Sequence, residues 1–122
     1  MNRVVHFEMH ADEPEKTLKF YEKVFGWKSV KWDGPEPYWV ITTGDDDAPG
    51  INGGMMKRVD PAGNVYNTIQ VESIDDTIKK IEDFGGEMVV PKTPIPGVGY
   101  LAYFRDAEGN ISGIMNEDPS AE

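Results

Sequence analysis

The sequence predicts an α+β domain of two tandem βαβββ modules, whose eight strands form a curved mixed sheet around a cavity with the helices on the convex side. Two observations carry this prediction. The pattern Ile-x-Gly-x-Met occurs at 51–55 and again at 111–115, 60 positions later. A Phe-Gly pair stands at the end of each predicted helix, at 25–26 and 84–85, which are 59 positions apart. Two matches nearly in register indicate a duplicated structural unit.

The internal repeats are placed at approximately 3–58 and 64–116 of a single domain, 1–122, and the turn-rich segment 60–64 joins them. The first strand of each repeat alternates in polarity, because successive side chains of a strand point to opposite faces. In the first repeat the apolar face is Val5, Phe7 and Met9, and the polar face is His6, Glu8 and His10. In the second repeat Asn67, Ile69 and Val71 oppose Tyr66, Thr68 and Gln70.

A helix follows this strand in each repeat. Pro14 suits a first helical turn, and apolar side chains then recur at helical spacing at Leu18, Tyr21 and Phe25. The second helix has a similar apolar face, formed by Ile74, Ile78 and Ile81. Gly26 and Gly85 stand where helix C-caps are expected.

Three short strands complete each repeat. They are placed near 28–32, 37–43 and 51–58, and near 87–91, 98–104 and 110–116. Glycine- and proline-rich turns separate them, including the segment 94–97. Because the apolar stripe of a helix must cover an apolar sheet face, Val5, Phe7 and Met9 are expected beneath the first helix. The polar face of the first strand then lines the cavity.

Composition limits the partners and the compartment. The chain has no cysteine and carries a net charge of −10, with no Lys/Arg cluster longer than a pair. Nucleic acid and anionic membranes are therefore not expected partners. The N-terminus lacks the apolar stretch of a signal peptide, so a cytoplasmic location is expected. Exposed sheet edges invite pairing, and a homodimer is therefore expected.

Three segments resemble the vicinal oxygen chelate superfamily, which includes glyoxalase I, bleomycin-resistance proteins, extradiol dioxygenases and methylmalonyl-CoA epimerase. They are His6-Phe7-Glu8, Phe20-Tyr21-x-x-Val24-Phe25-Gly26-Trp27 and Asp106-Ala107-Glu108-Gly109-Asn110. The segments 51–55 and 94–100 are similar to those of small proteins described as related to lactoylglutathione lyase. The resemblance spans nearly the whole chain and implies a small-molecule ligand.

The resemblance also implies four metal-ligand positions, which fall on His6, Gly53, Tyr66 and Gly113. Only His6 is a good ligand, since glycine has no side-chain donor, and the neighbours of the two glycines supply no carboxylate pair. Glyoxalase I activity is therefore not expected, and neither is a cofactor. His6, Glu8 and His10 would spread over about 13 Å of one strand, too far for one ion. A weak divalent site at His6 and Glu8, completed by waters, stays open.

Glu8 and His6 are the candidate catalytic residues, because a carboxylate or imidazole in a partly apolar cavity can exchange a proton near neutral pH. In the alternative interpretation, His6 only makes a hydrogen bond in the interior of the curved sheet, and Glu8 only pairs with a nearby lysine or tyrosine. Six further side chains are candidate ligand-binding residues: His10, Trp39, Tyr66, Thr68, Gln70 and Tyr100. Trp32, Tyr38 and Trp39 could stack on a planar ligand, and the alternative for them is core packing or a subunit interface. Tyr66 and Tyr100 could orient a carbonyl or enol oxygen of a substrate, or could be amphipathic residues of the cavity wall.

Two functions therefore remain open. One is a glyoxalase-like lyase or isomerase that acts on a small oxygenated substrate, with Glu8 or His6 as the base. The other is a metal-free small-molecule binding or sequestering protein of the bleomycin-resistance type. The two glutamate ligands of the metal-dependent members fall on Gly53 and Gly113 here, and their loss favours binding. The polar side chains of the cavity face favour catalysis.

Overall fold

The structure is a computed structural model that describes residues 1–58 and 63–122, so residues 60–62 of the predicted linker lie outside the described residues. The first module contains β1 (Arg3–Ala11), α1 (Pro14–Phe25), β2 (Lys28–Lys31), β3 (Tyr38–Thr42) and β4 (Gly53–Lys57). The second contains β5 (Val65–Gln70), α2 (Ile74–Asp83), β6 (Glu87–Ile95), β7 (Gly99–Arg105) and β8 (Ile111–Glu117). The βαβββ order occurs twice, which confirms the predicted α+β class and its two modules. No helix in the described ranges is long and apolar enough to cross a membrane.

Each module forms a four-stranded mixed sheet. The strand order is β2-β3-β4-β1 in the first module and β5-β8-β7-β6 in the second. The parallel pairs are β1 with β4 and β5 with β8, and the other neighbours within each module are antiparallel. Residues group into two compact units, His6–Tyr66 (the first unit) and Met1–Val5 with Asn67–Glu122 (the second unit).

The core of the first unit lies between α1 and one sheet face. Pro14 begins the helix, and Gly26 caps its end in the left-handed conformation with φ 74°, as predicted. The buried core consists of Met9, Ala11, Leu18, Ile41 and Met55, and the side chains of Phe7, Tyr21, Trp27 and Trp39 pack against it. Phe7 and Met9 thus pack with the apolar side of α1, as predicted. Val5 does not, since it lies outside this unit and is 40% exposed.

The second unit repeats this arrangement around α2. The Ser73 hydroxyl accepts a hydrogen bond from the backbone N–H of Asp76 and caps the helix N-terminus. The buried core is Val71, Ile74, Ala102 and Ile114, and among the side chains packed against it are Ile69, Ile78 and Ile81. The predicted apolar face of the second helix is therefore confirmed.

Strand β6 is longer than predicted. It continues from Glu87 through Ile95 rather than ending at 91, with register irregularities between Met88 and Val90 and between Val90 and Thr93. The proline-rich sequence suggested a turn at 94–97, but Pro94 still pairs with Tyr100 on β7. β6 lies at the end of the strand order, where a residue without an N–H is tolerated.

Candidate functional site

The register of three strands places a set of polar side chains on one face of the first unit. Glu8 on β1 pairs with Gly54 on β4, and Gly54 pairs with Val40 on β3. Residues paired in this way share a sheet face. His6, His10 and Tyr38 lie at even spacing from these positions and therefore belong to the same face. We call it the polar face, and the α1 core occupies the opposite one.

Three side chains of the polar face form a closed hydrogen-bonded group, the His6–Glu8–Tyr38 triangle. His6 Nε2 lies 3.1 Å from Glu8 Oε2 and 3.0 Å from the Tyr38 hydroxyl oxygen. The Tyr38 hydroxyl donates to Glu8 Oε2 over 3.1 Å. Glu8 is only 5% exposed, so a buried carboxylate is held by two donors. Such hydrogen bonds offset the desolvation of the charge.

The two carboxylate oxygens of Glu8 differ in their surroundings. Both contacts of the triangle fall on Oε2, and Oε1 makes no hydrogen bond to any described residue. The side chain of His6 is 30% exposed, whereas that of Glu8 is 6% exposed. The group therefore combines a free carboxylate oxygen with a histidine that reaches water. This arrangement can accept a proton and exchange it with solvent.

Gly54 makes room for the phenol of the triangle. A Cβ atom at this position would lie 1.8 Å from the Tyr38 hydroxyl oxygen, far inside van der Waals contact. The ring of Tyr38 therefore crosses β4 over a residue without a side chain and reaches β1. The sequence indicates Tyr38 only as an aromatic ring that could stack on a ligand, and not as a hydrogen-bonding partner of His6 and Glu8. The Gly-Gly pair at 53–54 was the available signal, but only the strand register shows which side chain it admits.

His10 is the second notable histidine of this face. It is 9% exposed, and neither ring nitrogen has a hydrogen-bond partner among the described residues. Its ring meets that of Tyr66 edge to face, with centroids 4.9 Å apart. Burial lowers the pKa of His10, the negative charge of Glu8 opposes this shift, and the positive charge of Arg58 adds to it. The direction of this shift favours the neutral form of the imidazole.

The other predicted ligand-binding residues have the following places within their own units. Trp39 packs against the α1 core, on the sheet face opposite the triangle. Tyr100 packs against the core of the second unit, with Lys92 Nζ 4.5 Å from the ring centroid. Thr68 is buried at 2% exposure beside Gly113, and Gln70 pairs with Met115. Within one unit, the structure thus brings together His6, Glu8 and Tyr38, and it places His10 against Tyr66.

The residues of this chain do not fit the four-ligand metal site that the resemblance implies. Gly53 pairs with Phe7 on the α1 side of the sheet, so the position beside Glu8 is Gly54, one residue later. Gly113 takes the equivalent position beside Thr68 in the second unit. Neither glycine offers a side-chain donor. Within 1–58 and 63–122, no three His, Asp or Glu side chains converge on a possible ion site.

Comparison with known families gives one match that covers most of the chain. The family model described as "Glyoxalase/Bleomycin resistance protein/Dioxygenase superfamily" matches residues 3–112. "Putative glyoxylase CFP32" of Mycobacterium tuberculosis is 30% identical over 114 residues, which are 92% of this chain and 43% of that protein. The chain thus spans less than half the length of this curated relative. A "Glyoxylase-like domain-containing protein" of Didymella fabae is 29% identical over 114 residues, 88% of each chain.

Solved structures share the fold at low sequence identity. A hypothetical protein from Bacillus halodurans matches with a TM-score of 0.71 and 14% identity, over 98% of this chain and 97% of that one. Methylmalonyl-CoA epimerase from Mycobacterium tuberculosis matches with a TM-score of 0.69 and 11% identity, over 94% of this chain and 87% of that one. Two βαβββ modules with one helix each are therefore an arrangement found in solved proteins.

Proposed function

The chain belongs to the Glyoxalase/Bleomycin resistance protein/Dioxygenase superfamily, and we propose that it is a glyoxalase-like lyase or isomerase that moves a proton on a small oxygenated substrate. One observation carries this proposal. Glu8 is a buried carboxylate held on Oε2 by His6 and Tyr38, with Oε1 left without a hydrogen bond among the described residues. A positioned carboxylate with a free oxygen is a suitable general base.

In the proposed reaction, Glu8 Oε1 takes a proton from a carbon next to a carbonyl group. The electron pair of the C–H bond passes to the carbonyl oxygen, which becomes an enolate oxygen. The proton then returns to the other face of the carbon, or to a neighbouring atom, and the carbonyl re-forms. His6 holds Oε2, and its 30% exposed side chain provides a path for exchange with water. Positioned proton transfer of this kind contributes about 10²–10⁴-fold to a rate.

The names of related proteins agree with this class of chemistry. The epimerase neighbours carry a name that denotes inversion at a carbon, which such proton removal and return would achieve. A further relative, "Probable trivalent organoarsenical cleaving enzyme" of Bacillus subtilis, is 32% identical over 79 residues. We do not extend that activity to this chain, since it has no cysteine thiolate, the soft ligand that suits trivalent arsenic.

A metal-free binding protein of the bleomycin-resistance type is the second candidate. The glycines at the two carboxylate positions favour it, because without ligands there is no ion to stabilise an oxyanion. Against it, two of the predicted ligand-binding aromatic residues, Trp39 and Tyr100, pack against the cores of their units. We also propose, for either function, a cytoplasmic homodimer.

The experiment screens probes in deuterated buffer and separates binding from turnover. The panel contains 2-oxo acids, 2-hydroxy ketones and acyl thioesters that carry a hydrogen next to the carbonyl. Exchange of this hydrogen is followed by proton NMR, and binding by thermal shift, for the wild type and Glu8→Gln. Glu15→Gln, which removes an exposed carboxylate in the first turn of α1, is the matched control.

The enzyme proposal predicts that Glu8→Gln abolishes exchange while the probe still binds, and that Glu15→Gln changes neither property. Binding without exchange in the wild type, with the same affinity in Glu8→Gln, would replace the enzyme with the binding protein. Exchange that survives Glu8→Gln would remove Glu8 from the mechanism.

A further inference from the structure

The Tyr38 hydroxyl competes with any ion for the metal-binding atoms of His6 and Glu8. Its oxygen lies 3.0 Å from His6 Nε2 and 3.1 Å from Glu8 Oε2, the two atoms on this face best suited to bind a metal. Metal–ligand bonds to these atoms are about 2.0–2.2 Å long. An ion at that distance from both atoms would take Oε2 from the phenol, which would have to move away or lose its proton and become a third ligand.

Gly54, on the strand that the Tyr38 ring crosses, leaves room for the hydroxyl in this position. Gly54 is the residue beside Glu8, and a Cβ there would lie 1.8 Å from the Tyr38 oxygen and 2.3 Å from the ring carbon that bears it. A side chain at this position is therefore incompatible with the hydroxyl where it stands. Because residue 54 has no side chain, it offers no ligand to an ion. For the same reason, the Tyr38 hydroxyl can occupy the space beside Glu8.

We infer that the Tyr38 hydroxyl replaces a metal ion in this site, both by excluding an ion from His6 and Glu8 and by donating a hydrogen bond to the substrate's oxygen. The second half rests on the proposed function, whereas the first half does not. A phenol is a suitable donor for this purpose because it is protonated at neutral pH. Hydrogen-bond donors directed at a developing oxyanion can take the electrostatic role of an ion.

The triangle couples this donation to the proton transfer. Before the reaction, the Tyr38 O–H bonds to the Glu8 carboxylate at Oε2. When Oε1 takes the proton from carbon, Glu8 becomes neutral and its oxygens become weaker acceptors. At the same moment the carbonyl oxygen gains the electron pair of the C–H bond. The Tyr38 O–H can then turn from Glu8 to the new oxyanion, and it turns back when the proton returns to the product.

The first experiment needs no substrate. The chain has two histidines, His6 and His10, so ¹⁵N NMR of the imidazole rings reports on each separately. We expect Tyr38→Phe and Gly54→Ala to shift the His6 ring signals. The matched controls are Tyr21→Phe, whose hydroxyl makes no hydrogen bond to a described residue, and Gly44→Ala, where a Cβ meets nothing within 4 Å. The controls are expected to leave His6 unchanged.

The same samples are then titrated with Zn²⁺ alone and followed by calorimetry and by the ring signals. Wild-type protein is expected to take up no stoichiometric zinc, whereas Tyr38→Phe, which releases Glu8 Oε2, is expected to bind zinc more tightly than the wild type. Equal zinc affinities of the two proteins would overturn the exclusion. One tightly bound ion per wild-type chain, with a shifted His6 signal, would overturn the inference whether or not any probe is turned over. A His6 signal that is indifferent to Tyr38→Phe and Gly54→Ala would overturn it as well.

The second experiment measures deuterium exchange of a turned-over probe in the presence of EDTA. The wild-type rate is expected to survive EDTA, and Tyr38→Phe to lower it by about 10²–10³-fold, as for loss of an oxyanion donor. Tyr21→Phe is expected to match the wild type. A rate that EDTA abolishes and Zn²⁺ or Mn²⁺ restores would overturn the inference. If the wild type exchanges no probe, the proposed function fails, and the zinc titration alone decides whether Tyr38 excludes an ion.

Discussion

His10 offers a test of whether the polar face is built for stability or for function. Both of its ring nitrogens are buried without a hydrogen bond to a described residue. Leaving a buried polar group unpaired costs about 1–3 kcal/mol. His10→Leu removes this cost and loses the edge contact with Tyr66, which is worth about 0.5–1.5 kcal/mol. The substitution is therefore expected to raise the free energy of unfolding by about 1 kcal/mol, the difference between these two effects.

The gain should depend on pH in a defined direction. Burial lowers the pKa of His10 from its reference value of 6.5, so below that pH the unfolded chain binds more protons than the folded one. Wild-type stability from this group is complete above pH 6.5 and is lost as the pH falls towards the lowered pKa. His10→Leu removes this loss. Its stabilisation should therefore be larger at pH 5 than at pH 7, as measured by urea unfolding.

His6→Leu is the matched control, because it makes the same chemical change at a histidine that is bonded. It removes one of two donors to the buried Glu8 carboxylate and is expected to destabilise the protein by about 1–3 kcal/mol. A gain of stability in His10→Leu and a loss in His6→Leu would support the finding that the His10 ring nitrogens have no hydrogen bond. A loss of stability in His10→Leu, or a gain that does not grow on acidification, would refute it and indicate that the His10 nitrogens are hydrogen-bonded in the folded protein.

Three further predictions concern packing, capping and assembly. Gly54→Ala should clearly lower the midpoint of urea unfolding, because the new Cβ meets the Tyr38 hydroxyl. In Gly44→Ala the free energy of unfolding should stay within about 0.5 kcal/mol of the wild type. Equal effects of the two substitutions would contradict the close contact. Ser73→Ala removes the hydroxyl that accepts the Asp76 N–H and should cost about 0.5–2 kcal/mol in thermal unfolding, an effect that Ser73→Thr should largely avoid. Analytical ultracentrifugation should give the mass of two chains at micromolar concentration, and a single-chain mass would remove the proposed homodimer.

Periodicity predicted the fold because each element carries its own local signal. The alternation of β1, the proline at the start of α1 and the glycine after it all appear in the structure at the predicted positions. The end of β6 was missed, since prolines usually mark turns and only its place at the end of the strand order tolerates Pro94. A local sequence pattern does not show which strand lies at the end of the strand order.

The site was only half predictable for a related reason. His6 and Glu8 stand two residues apart on one strand, so their shared face follows from alternation alone. Tyr38 joins them across β4, and that contact depends on the pairing of three strands, which no local pattern specifies. The same register places Trp39 one residue on, against the α1 core, although its aromatic ring made it the more obvious ligand contact in the sequence.

The most direct test of the account is the rate of deuterium exchange at equal site occupancy in wild-type protein and in Glu8→Gln. The substitution keeps the size of the side chain and removes the basic oxygen. We expect at least a 10²-fold lower rate in the variant, about the smallest contribution usual for a positioned general base, with unchanged affinity for the probe. Equal rates in the two proteins would contradict the claim that the buried Glu8 carboxylate moves the proton.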